Sequence, residues 1–65
     1  MTKAEVQERL NFYLDAEMKI LKGQSVEHNG KRLTRADLDI IIKQREALER
    51  RLANFGRKSH ALSSF

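Results

Sequence analysis

Val26-Glu27-His28-Asn29-Gly30-Lys31-Arg32-Leu33-Thr34-Arg35-Ala36-Asp37-Leu38 is the stretch whose reading decides the fold. Asn29-Gly30 is the dipeptide that best tolerates positive φ at both central positions of a type I′ turn, and the twist of that turn matches two paired strands. A two-residue turn there fixes the register: His28 faces Lys31, Glu27 faces Arg32, Val26 faces Leu33 and Ser25 faces Thr34. Period-2 geometry then puts the apolar pair Val26 and Leu33 on one face and the ion pair Glu27 and Arg32 on the other. Thr34 ends the second strand and caps a following helix, with Asp37 three residues on as the reciprocal acceptor of a capping box.

Outward from the hairpin, both flanks read as helix. The first helix is predicted from Lys3 to Lys22, with Thr2 as N-cap, Glu5 at the capping-box position and Gly23 as the left-handed residue after its end. Its apolar face is read as Val6, Leu10, Tyr13, Leu14, Met18 and Leu21, at helical and not strand spacing. The second helix is predicted from Arg35 to Phe55 with Gly56 as its stop, and its apolar face as Leu38, Ile41, Leu48, Leu52 and Phe55.

The short hairpin requires the helices to run antiparallel. That arrangement sets Leu21 against Ile41, Leu14 against Leu48 and Leu10 against Leu52, with Val6 one place from Phe55. The same register brings Glu17 opposite Arg45, each a charged residue near the middle of an apolar stripe. The prediction is a partly buried interhelical ion pair; the alternative is that both side chains snorkel to solvent. Val26 and Leu33 are expected across the helix pair near Ile20 or Ile42, because an isolated hairpin is marginal in water. The fold class is therefore α+β: two antiparallel helices joined by a short β-hairpin, as one domain over residues 1–55, followed by a flexible C-terminal tail, 56–65.

The bulk composition narrows the function. With 65 residues, the chain is near the lower limit for a core that is stable alone. It has no cysteine and no proline, so neither a disulfide framework nor a cysteine zinc site is possible, and a reducing cytoplasm is compatible. No apolar stretch is long enough to span a bilayer, and Met1-Thr2-Lys3 opens no signal peptide. The formal net charge of +4 is unevenly placed: residues 1–49 balance, and the excess comes from Arg50, Arg51, Arg57 and Lys58. That basic end has two uses, contact with phosphates or complementing a helix dipole.

His28 and His60 have no carboxylate at a helical metal-ligand spacing, and the three glycines are turn and cap residues without a phosphate-binding loop. No enzyme and no cofactor is predicted. Phe12 and Ile40 project away from the expected stripes, either as ordinary exposed side chains or as contacts for another chain. Leu62 and Phe65 are the apolar exceptions in an otherwise polar tail, either anchors of a docking segment or part of an inert terminus.

The stretch Leu21-Lys22-Gly23-Gln24-Ser25 followed by the hairpin and Thr34-x-x-Asp37-Leu38 resembles the pattern of small head–tail joining proteins of long-tailed bacteriophages, the lambda W-like group. The resemblance covers roughly residues 3–55 and rests on structural motifs. It implies a connector that binds as a ring of copies under the portal protein of a DNA-filled head and presents a surface to the next neck or tail protein. It implies a virion location after a period in the host cytoplasm, a docking role for Leu62 and Phe65, and basic residues lining a DNA channel. Two other readings stand beside it: a small basic DNA-binding or regulatory protein, and a helical-hairpin adaptor that homodimerises through Phe12 and Ile40.

Overall fold

The computed structural model describes the backbone of residues 1–63 and the side chains of residues 1–55. Its elements are α1 (Lys3–Leu21), β1 (Val26–His28), β2 (Lys31–Leu33), a single 3-10 turn (Arg35–Asp37) and α2 (Leu38–Ser63). The α+β order expected from the hairpin is the order observed.

Local chemistry accounts for each junction. At the start of α1 the Glu5 amide donates to Thr2 Oγ1 at 3.1 Å and the Thr2 amide donates to Glu5 Oε1 at 2.8 Å, a complete capping box. At its end Gly23 has φ +88°, its amide donates to the Ile20 carbonyl, and the Gln24 amide donates to the Lys19 carbonyl, both at 2.9 Å. That pair of bonds is a Schellman motif, which needs the left-handed residue that glycine supplies.

In the hairpin the partners are Val26–Leu33, Glu27–Arg32 and His28–Lys31, with Asn29 at φ 52° and Gly30 at φ 78°. The turn and register agree with the sequence reading as far as the strands extend. Ser25 and Thr34 lie beyond them, because Thr34 is already committed to capping: the Thr34 amide donates to Asp37 Oδ2 at 2.9 Å and Ala36 donates to Thr34 Oγ1 at 3.3 Å. Arg35–Asp37 form a tighter 3-10 turn before α2 begins, where a continuous helix was expected.

The expected stop at Gly56 is not where α2 ends; the helix continues to Ser63. A lone glycine costs a helix about 1 kcal/mol relative to alanine, which weakens but does not terminate it. The expectations for Arg57, Lys58, Leu62 and Phe65 lie outside the described side chains; of the flexible tail expected over 56–65, residues 56–63 continue α2.

The core forms two adjoining clusters. Val6, Leu10 and Leu48 form one, with Tyr13 and Leu52 against it. Ile20, Leu33 and Ile41 form the other, with Phe12, Tyr13, Val26 and Leu38 against it. Leu33 thus joins the hairpin to both helices, and Ile20, not Ile42, receives it.

The expected face of α1 is corrected along its second half. Ile20 and Ala16 are buried, whereas Leu14, Met18 and Leu21 are 43%, 50% and 53% exposed. Ile41 therefore packs on Ile20 and not Leu21, and Leu48 packs on Val6 and Leu10 and not Leu14. On α2 the expected positions Ile41 and Leu48 are buried and Leu38 and Leu52 half-buried, but Phe55 is 38% exposed.

Candidate protein-interaction surface

The hairpin covers one side of the helix pair, and the other side stays open. On that open side Leu14, Met18 and Leu21 line a shallow cleft of about 400 Å³ together with Glu17, Lys22 and Arg45. The apolar residues follow one another at spacings of four and three, so a helix stacks them in a single strip. No signal in the sequence reading separated this strip from the core. Val6, Leu10, Tyr13 and Ile20 have the same spacing on the adjacent face, so α1 carries more apolar positions than one partner helix buries.

Along the inner edge of the strip lies the predicted ion pair. Arg45 Nε donates to Glu17 Oε1, and Arg45 Nη1 donates to Glu49 Oε1 at 2.9 Å. The Glu17 and Arg45 side chains are 20% and 21% exposed, so the pair is partly buried, as the register required. The hydrogen bond to Glu17, ahead of the opposing effect of burial, raises the Arg45 pKa above the ordinary guanidinium range. Arg45 is charged at every working pH and presents the open side with a fixed polar seam beside an apolar strip.

Phe12, read from spacing either as an ordinary exposed side chain or as a contact for another chain, packs within the fold. Its ring stacks on His28 with centroids 4.2 Å apart and meets Tyr13 edge-on at 5.2 Å. His28 lies on the same face of the hairpin as Val26, and that face turns onto α1, so the large ring is covered from within the chain. Sequence spacing showed only that Phe12 left the stripe, not that a hairpin side chain would return to meet it. Ile40 is 61% exposed and remains a surface residue, as the sequence reading allowed. It lies one turn before Gln44, on the side of α2 away from the Leu14 strip.

On that second side Arg9, Tyr13, Gln44, Arg50 and Arg51 line a cleft of about 460 Å³. Arg50 and Arg51 are exposed, and α1 adds Arg9, a cation distant in sequence that no local charge count connects to them. Among the described residues no group of three or more His, Cys, Asp or Glu is placed to hold a metal ion. Among the described residues no helix is long and apolar enough to cross a membrane.

Compared with known proteins, residues 1–64 match the family described as "Family of unknown function (DUF6148)", and the chain belongs to that family. No curated protein and no solved structure matches it.

Proposed function

We propose that this chain is a structural virion-assembly protein: a head–tail joining connector that binds the portal protein as a ring of copies and links the DNA-filled head to the next neck or tail protein. The observation that carries the reading is the large apolar surface left open on so small a domain: Leu14, Met18 and Leu21 on one side, Ile40 on the other. A closed ring of identical subunits needs two different contact surfaces on each copy, and the two sides of the helix pair are separate surfaces. The order of a capped helix, a glycine stop, a tight hairpin and a Thr-capped second helix adds support, since it is the pattern whose resemblance to small connectors the sequence carries. In this account the protein acts in the virion, and the polar seam of Glu17, Arg45 and Glu49 limits how a neighbour seats.

The test is electron microscopy of particles made when the gene is silenced in its parent genome. The proposal predicts DNA-filled heads and free tails that fail to join. Normally joined particles would remove it.

One observation favours a second reading, direct contact with DNA: Arg9, Arg50 and Arg51 converge on one cleft. Neutralising about three phosphates gives a log–log salt slope of about −2.7 on duplex DNA. Titration of random duplex at several salt concentrations reads that slope, and binding that Arg9→Gln and Arg51→Gln leave unchanged would exclude the cleft.

A further inference from the structure

We propose that the open face of α1 is a self-association surface, on which a second copy of the chain packs its own α1 antiparallel about a two-fold axis at Met18. The inference concerns the free protein and stands whether or not the chain joins heads to tails.

The apolar strip alone would accept many helices. The charges along its outer rim select this one. Asp15 lies on that rim just before Met18, and Lys22 lies on it just after, lining the cleft itself. Reversing a second α1 about Met18 stacks Leu14 on the partner's Leu21, Met18 on the partner's Met18 and Leu21 on the partner's Leu14. It also sets Asp15 beside the partner's Lys22, twice, once from each copy. In an antiparallel helix pair the outer rims of the two copies face each other, so both ion pairs form at once.

A parallel copy loses this match. It turns the outer rim of one copy toward the inner edge of the other, where the acid is Glu17. Glu17 is already bonded to Arg45 and is only 20% exposed. Asp15, by contrast, is 50% exposed and holds only Lys19 of its own helix, at 3.0 Å, leaving lone pairs for a second cation. Among the described residues Lys22 has no acidic partner within its own chain. The antiparallel copy supplies one.

Sedimentation equilibrium across the micromolar to millimolar range tests this. The expected mass rises from that of one 7.6 kDa chain to that of two. Met18→Glu, which sets two carboxylates at the two-fold axis, is expected to hold the protein monomeric with its helical circular dichroism unchanged, since Met18 is half exposed. Asp15→Lys is expected to weaken association on the order of tenfold, and Asp15→Lys combined with Lys22→Asp to restore it, because both ion pairs are then reversed. A monomer at all concentrations, an assembly larger than two, a dimer that survives Met18→Glu, or a charge-reversed double variant that fails to recover would each overturn the proposal.

Discussion

Gly30 shows how one residue's backbone carries the hairpin. A Cβ placed on it meets nothing within 4 Å, so space is not the constraint; φ +78° is. Gly30→Ala is expected to lower stability by about 1 kcal/mol, a fall of about 4–8 °C in melting temperature for a domain of this size. Asn29→Gly is expected to stay within about 0.5 kcal/mol, because Asn29 already sits at φ 52°. A Gly30→Ala protein melting with the wild type would contradict the type I′ turn.

Glu5 provides a pH test at the same scale. The backbone hydrogen bond from Thr2, then that from the Thr2 side chain, lowers its pKa from 4.5. A carboxylate with a folded pKa below its unfolded one contributes stability above the unfolded value and loses it as pH falls through the folded one. The capping contribution is therefore complete above pH 4.5 and fades below it. Glu5→Gln retains an acceptor at the box and is expected to flatten this part of the acid limb in melts recorded against pH. Acid limbs of equal slope in the wild type and the Glu5→Gln variant would contradict the assignment.

Glu17 and Arg45 are coupled residues. Removing one leaves the other partly buried without its partner. Glu17→Ala and Arg45→Ala measured singly and together in chemical denaturation are expected to be non-additive, with the double variant less destabilised than the two single losses combined. Additive losses would mean that the bond contributes no coupling.

At the scale of elements, the hairpin and both capping boxes were legible because each is local. Turn, register and cap are set by residues within a few positions of one another, and Asn29-Gly30 and Thr34-x-x-Asp37 leave few alternatives. The antiparallel register was legible for the same reason, since the hairpin length dictates it, and Glu17 reaches Arg45 as read. What local chemistry did not decide was the rotation of α1. Two apolar stripes with identical spacing share the helix, and only tertiary packing chooses between Ile20 with Ala16 and Leu21 with Leu14. Ala16 is fully buried, a small side chain in the packed face that a search for large apolar residues overlooks. The packing of Phe12 was not legible for a related reason: its cover, His28, comes from an element distant in sequence.

The corrected rotation makes a sharp prediction about neighbours in the chain. Ile20 is 1% exposed and Leu21 is 53% exposed. Ile20→Ala is expected to cost about 2–5 kcal/mol, enough to unfold much of a domain this small. Leu21→Ala, studied at low protein concentration, is expected to stay within about 0.5 kcal/mol. Thermal and urea melts of the pair decide the matter, and equal losses would restore the face first read from spacing.

At the scale of the whole molecule, the hairpin makes the helix pair two-sided. On one side Leu33, Val26 and the Phe12–His28 stack cover part of the helix pair; the other presents an apolar strip beside a fixed polar seam. The order of elements on which the connector proposal draws was legible in the sequence. The open strip was not, because spacing alone places Leu14, Met18 and Leu21 in the core. The most direct measurement of the central claim is complementation: purified protein is added to heads and tails from cells in which the gene is silenced, and joined particles are counted by electron microscopy. The connector account predicts that joined, DNA-filled particles appear in proportion to added protein. Heads and tails that stay separate at every protein concentration would contradict it.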